Sequence, residues 1–219
     1  MRFTGCLLPL AIVAAVVVNE AGAAPLRLPA VERAQGWRLL FDGESLSDWR
    51  GFRARKLPAN WQVSGGALLG TPGSALVTAE DFRDFELQFE WKVEAGGRGE
   101  VYFHVAEEGA GPEDTGLVME LAGHGEALGG TGGLLPATGL VKSQYDVWFS
   151  ARIVVYGDLV EYWVNGQQVC RYTIGSPDWK AALAASGRPV ARDFGRLGVG
   201  RIALAGDGVH FRAIKLKAL

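Results

Sequence analysis

The stretch "GRGEVYFHV", residues 97–105, sets Glu100, Tyr102 and His104 in alternation with Val101, Phe103 and Val105. Alternation with a period of two predicts a β-strand with one buried face. Its other face would carry a carboxylate, a phenol and an imidazole at about 7 Å between second neighbours. Such groups can take a proton, deliver one, and donate a hydrogen bond to a developing oxyanion. Glu86, Gln88 and Glu90 share the polar face of the preceding segment, "DFELQFEWKVE". Glu120 projects from a third, "GLVMELAG". If these strands are neighbours with coincident polar faces, they build a patch rich in carboxylates. His124 lies in the Gly-rich loop 123–139 and is a candidate loop-borne contact. His210 reads as a structural strand residue and Asp207 as a turn former. The three histidines are scattered, and their spacing establishes no metal site.

Such groups need strands to hold them, and strand signals recur through the chain. "WRLLF" precedes a turn at "DGES", and "WQVSGGALLGT" reads as a hairpin with Gly65 and Gly66 at its tip. Residues 148–174 read as strand, Gly-Asp turn, strand, Asn-Gly turn, strand. Residues 200–219 close with two more strands. The substantial helix signal is "SPDWKAALAAS", where Ser176 is an N-cap, Pro177 fits the first turn and Gly187 ends the helix. Closely spaced strands with Gly-rich turns predict an all-β sandwich or barrel. Trp37, Trp49, Trp61 and Trp91 are expected in the core.

The 219 residues carry 21% charged side chains and a formal net charge of −2. No basic excess or run of Lys and Arg points to nucleic acid. The N-terminus differs in character: Arg2, an apolar run from about Cys6 to Val18, then "AGAA". This is the pattern of a secretory signal peptide spanning 1–23, with cleavage after Ala23. The run is short for a bilayer span, so no stable membrane insertion is expected once the signal is removed. The mature chain is expected to be secreted or periplasmic. It keeps one cysteine, Cys170, read as a small buried hydrophobe. No cofactor is implied, and nothing names a protein partner.

Several segments in order resemble one family. "GWRLLFDGESLSDWRG", "WQVSGGALLGT" and "DFELQFEWKVEAGGRGEVYFHV" resemble its opening strands. "ARIVVYGDLVEYWVNGQQVCRYTIGSPDWKAALAAS" resembles its long hairpin and helix, and "GRIALAGDGVHFRAIKLKAL" its last hairpin. The family is the 3-keto-disaccharide hydrolase domain, and the likeness covers nearly all of 36–219. Where the family commonly reads Y-E-x-Q, this chain has "LVME", which places Val118 and Glu120 there. The resemblance implies an antiparallel two-sheet jelly-roll sandwich of concanavalin type, a carbohydrate ligand and a hydrolase acting on sugars oxidised at C3. On that reading Glu100 or Glu120 is the base and His104 the acid. Tyr102, Glu90, Gln88, His124 and Trp148 would be substrate contacts. The alternatives are a non-catalytic carbohydrate-binding module on the same fold and a structural cell-surface domain.

Overall fold

The computed structural model describes residues 25–121, 128–137, 141–187 and 194–219. The expected signal peptide and His124 lie outside the described residues. In chain order the elements are α1 (Ala30–Ala34), β1 (Arg38–Phe41), β2 (Trp49–Gly51), β3 (Trp61–Ser64), β4 (Ala67–Gly70), β5 (Leu76–Thr78) and β6 (Phe85–Val105). They continue with β7 (Leu117–Glu120), β8 (Phe149–Tyr156), β9 (Leu159–Val164), β10 (Gln167–Thr173), α2 (Pro177–Ser186) and β11 (Arg201–Ala218). The expected helix is α2: the Ser176 hydroxyl accepts from the Trp179 N–H at 3.2 Å, and Gly187 closes it with φ 60°. Among the described residues no helix is long and apolar enough to cross a membrane.

Two long strands organise everything else. β6 and β11 run antiparallel along their whole lengths. Extended, the 21 residues of β6 would reach about 70 Å at roughly 3.3 Å per residue. Yet Phe85, its first residue, meets Phe103, two residues from its end, with ring centroids 6.0 Å apart. The strand therefore folds back over itself. The bend lies near Gly96 and Gly97, where the register with β11 shifts between Asp207 and Val209. Gly206 and Arg98 cross closely there: a Cβ on Gly206 would stand 2.3 Å from the Arg98 carbonyl oxygen, at φ 150°.

The bend divides the strands between two antiparallel layers. The larger is ordered β10-β9-β8-β6-β11, using 85–93 and 209–218, and continues to β4 and β3 with β1 also on β11. The smaller is ordered β7-β6-β11-β5-β2, using 99–105 and 201–207. Between them lies one core of alternate residues, including Phe85, Leu87, Trp91, Val101, Phe103, Tyr162 and Leu204. Trp37, Trp49, Trp61 and Trp91 are buried, and the last three donate their indole N–H to backbone carbonyls. Tyr162 crosses the core to donate to the Val118 carbonyl at 2.9 Å. The architecture is the expected two-sheet jelly-roll sandwich.

Two expectations fail, each where the long strand β6 departs from a regular flat strand. Segments 84–94 and 100–104 are halves of one strand, so the row Glu86, Gln88, Glu90 faces outward from the opposite side of the sandwich to Glu100. His104 also leaves its row. Against β11, three steps of β6 from Tyr102 to Val105 match two from Ala203 to Arg201, which is a bulge. His104 occupies it at φ 52° and is 2% exposed. Its ring packs on Phe85 and Phe103, and its Nε2 lies 2.8 Å from the Arg83 carbonyl oxygen. Val105 is thereby turned to the outer face beside Tyr102. Gly200 makes room, since a Cβ there would come within 2.6 Å of the His104 carbonyl carbon.

Loss of water around the His104 imidazole holds its pKa below the usual 6.5. The unfolded chain therefore takes up a proton near pH 6.5 that the folded protein refuses until lower pH. Stability from this group is unchanged above 6.5 and falls as pH drops from 6.5 toward the folded value. Denaturant unfolding at pH 7.5 and 5.5 should show that loss in the wild type and a smaller loss in His104→Asn, a residue that tolerates the backbone angle. Equal losses in both proteins would contradict the assignment.

Candidate functional site

The outer face of the smaller sheet builds the site. Its cross-strand registers align Val118, Tyr102, Ala203, Val77 and Arg50 in one row. In the next row Glu120 stands opposite Glu100, and Glu100 opposite Ala205. Directly paired residues on one face have Cβ atoms about 5 Å apart, so two carboxylates and a phenol are neighbours here. Tyr102 is set in an outer apolar cluster with Val77, Val105, Val118 and Ala203, with Phe52 and Ala205 packed on it. Small side chains at 203 and 205 leave open the space that larger ones would fill.

That space is a cavity of about 690 Å³, within the size range of small-molecule sites. Phe52, Arg98, Glu100, Tyr102, Ala205 and Asp207 line it, and the loop at 110–113 forms one wall. Glu120 lies beside it. A Cβ on Gly130 would stand 2.4 Å from Glu120 Oε2, so the backbone of that loop lies against the carboxylate. Backbone bonds pin it there: Glu120 N–H to the Gly130 carbonyl at 2.9 Å and Gly129 N–H to the Glu120 carbonyl at 3.1 Å.

The remaining candidates are elsewhere. His104 is in its bulge. Gln88 and Glu90 line a different cavity with Leu26 and Lys215, and Glu90 holds the Arg212 Nε at 2.6 Å. Trp148 lies under the Arg212 guanidinium, 3.9 Å from the ring centroid, on the outer side of the larger sheet. These three belong to a carpet of ion pairs and cation–π contacts that includes Arg152 over Trp163 at 4.2 Å and Lys215 over Trp37 at 5.0 Å. His210 pairs with Glu94 at 2.8 Å. Cys170 is buried, and burial pushes its thiol up to about 11, so it stays protonated. Among the described residues no group of three or more His, Cys, Asp and Glu could hold a metal ion.

Sequence reading passed over one side of this face. "RGFRARK", residues 50–56, is a dense basic stretch, and Glu107 in the loop after β6 meets it. The Arg50 guanidinium, hydrogen-bonded to Glu107, holds that carboxyl below the usual range and is itself raised. Arg201 Nε adds a contact to Glu107 at 3.1 Å. The clustered cations of "RGFRARK" were a usable signal. The distant Glu107 had none.

Fold and site together define an antiparallel β-sandwich with a ligand-sized cavity on the outer face of its smaller sheet. Residues 36–217 match the 3-keto-alpha-glucoside-1,2-lyase-like domain, and the chain belongs to that family. A 3-keto-disaccharide hydrolase of Bacteroides thetaiotaomicron is 27% identical over 239 residues, covering 89% of this chain and 81% of the relative. A Parabacteroides distasonis crystal structure, of a protein provisionally described as a glycosyl hydrolase, superposes with a TM-score of 0.80 at 23% identity, covering 89% of this chain and 99% of that one. A carbohydrate binding module from Bacillus subtilis shares the fold at a TM-score of 0.52 and 12% identity, over 78% of this chain and 96% of its own.

Ala205 faces the cavity beside Glu100. Ala205→Trp should fill it and weaken binding of a methyl glucoside at least about tenfold, read by NMR titration, with little change in thermal midpoint. Such outward positions tolerate change within about 0.5 kcal/mol. Unchanged affinity would place the ligand elsewhere.

Proposed function

We propose that the protein is an exported hydrolase that cleaves 3-keto-glycosides by removing the proton from C2. The observation that carries this is Glu100 beside Tyr102 on the floor of the 690 Å³ cavity. Family membership and the printed activity of the Bacteroides thetaiotaomicron relative support the substrate class. The N-terminal pattern of charge, apolar run and small residues supports export.

The chemistry follows from the ketone. A carbonyl at C3 acidifies the hydrogen on C2. Glu100 takes that proton, and the electron pair forms an enolate whose oxygen accepts from the Tyr102 hydroxyl. The enolate collapses, C1=C2 forms, and the C1–O bond breaks as a proton passes to the departing oxygen. In this reading Glu120, paired across the strands with Glu100, delivers it. Water then adds across C1=C2, oxygen to C1 and hydrogen to C2, and Glu100 and Glu120 regain their starting protonation by proton exchange with solvent, which completes net hydrolysis. His104 has no part in this, since its Nε2 is held by the Arg83 carbonyl inside the sandwich. The binding-module likeness is one of fold alone and does not favour a purely binding role.

Release of the aglycone from a panel of glycosides should occur with 3-keto substrates and not with their unoxidised parents. Glu100→Gln should lower turnover by about 10²–10⁴, the scale of acid–base catalysis. Tyr102→Phe should lower it by roughly 10²–10³, the scale of one oxyanion donor. Wild-type rates in both variants, with circular dichroism confirming the fold, would overturn the assignment.

A further inference from the structure

The row through Tyr102 ends at Arg50, three strand spacings away, or about 14 Å at roughly 4.8 Å each. Beyond it the chain turns through Phe52 to Arg55, and Arg50, Arg53 and Arg55 line a second cavity of about 480 Å³ with Glu107. Phe52, which lines the first cavity, is the chain neighbour of Arg53, which lines the second.

Glu107 organises this end. Its carboxylate accepts from both Nη groups of Arg50, from Arg201 Nε at 3.1 Å and from the Arg53 backbone N–H at 2.5 Å. That last bond holds Arg53 at φ 54°, a region uncommon for residues with a side chain. The Arg53 guanidinium is in turn anchored to the Gly109 carbonyl at 3.1 Å. Asp81 lies 3.7 Å from Arg201. The guanidiniums of Arg50 and Arg201 meet the carboxylates of Glu107 and Asp81, which leaves those of Arg53 and Arg55 in excess, with Lys56 and Glu108 exposed beside them in the chain. Among the described residues Arg55 has no ion-pair partner. The neighbouring cavity has the reverse balance, with Glu100, Glu113 and Asp207 against Arg98. A ligand lying along the face meets negative charge at one end and positive charge at the other.

The geometry points to a subsite, formed by Arg53 and Arg55 at the mouth organised by Glu107, for an anionic group on the aglycone of the glycoside. This rests on the reading of the first cavity as the place of the oxidised ring. The roughly 14 Å runs from Tyr102 to Arg50, and Arg53 and Arg55 lie beyond it in the chain, so the substrate would be of at least disaccharide size. Guanidinium forks bind carboxylate, phosphate and sulfate oxygens in pairs, so any of the three satisfies the site.

Two neutral-sugar probes isolate the charge: 4-carboxyphenyl glucoside and 4-carbamoylphenyl glucoside, both unoxidised, titrated into the full protein and followed by NMR. The wild type should bind the carboxylate about tenfold more tightly, the scale of one charge-assisted hydrogen bond. Raising salt from about 50 to 500 mM should shrink the preference, because the groups are exposed. The Arg53→Gln/Arg55→Gln protein should show no preference. Equal affinities in the wild type, a preference that survives in the double variant, or no binding of either probe would overturn the subsite. Inorganic phosphate binding as tightly as the charged glucoside would also overturn it, because the anion would then be recognised without the sugar. Turnover of a neutral 3-keto-glycoside separates the two readings. Cleavage without charge preference removes only the subsite, and charge preference without cleavage removes only the hydrolase.

Discussion

The contact between Phe85 and Phe103 is the constraint from which the architecture follows. Residues from the two ends of one strand meet at 6.0 Å, so the strand and its partner β11 must bend together. Each then serves two sheets, and the same residues that line the core also fix which way every polar neighbour points. Burial of the aromatic rings drives this. Removing Phe103 would forfeit about 3–5 kcal/mol, a large part of the stability of a typical domain. The loops that wall the cavity arise at strand ends that this bend brings to one side.

The two outer faces have different characters. On the larger sheet, carboxylates pair with guanidiniums and a lysine, and guanidiniums stack on indoles. Exposed pairs of this kind contribute little individually, on the order of 0–1 kcal/mol. On the smaller sheet, Tyr102 sits in an apolar floor, Glu100 borders a cavity, and small side chains keep the surface hollow. Charge there is separated along the face instead of being cancelled. That arrangement suits an elongated polar ligand, with acidic groups at one end and basic groups at the other.

Much of the fold was legible in the chain. Alternation marked the strands, Gly65 with Gly66 and Asn165 with Gly166 marked hairpin tips, and Ser176 to Gly187 marked the helix to its ends. Glu100, Tyr102 and Glu120 emerge on one face, as period-two reading expects. His104 does not, because one extra residue in a bulge reverses every side chain after it, and no local residue type announces that insertion. Gly200 is its counterpart, but it lies far away in sequence. Glu86, Gln88 and Glu90 misled for a related reason: a strand that crosses between sheets looks locally like two neighbouring strands. The Arg50–Glu107–Arg201 cluster joins three distant segments, and only the cations of residues 50–56 formed a pattern within one of them.

The central claim is that Glu100 removes the C2 proton of a 3-keto sugar. It is tested most directly by running the reaction in D₂O and reading the position of deuterium in the released 3-keto sugar by NMR. A blank corrects for exchange of the free product. Elimination, exchange of the Glu100 proton with solvent and then hydration predict deuterium at C2 in the product, and slower turnover of a substrate deuterated at C2. Protium retained at C2, together with equal turnover of C2-protio and C2-deuterio substrates, would contradict the account and point to displacement at C1 through an oxocarbenium-like state.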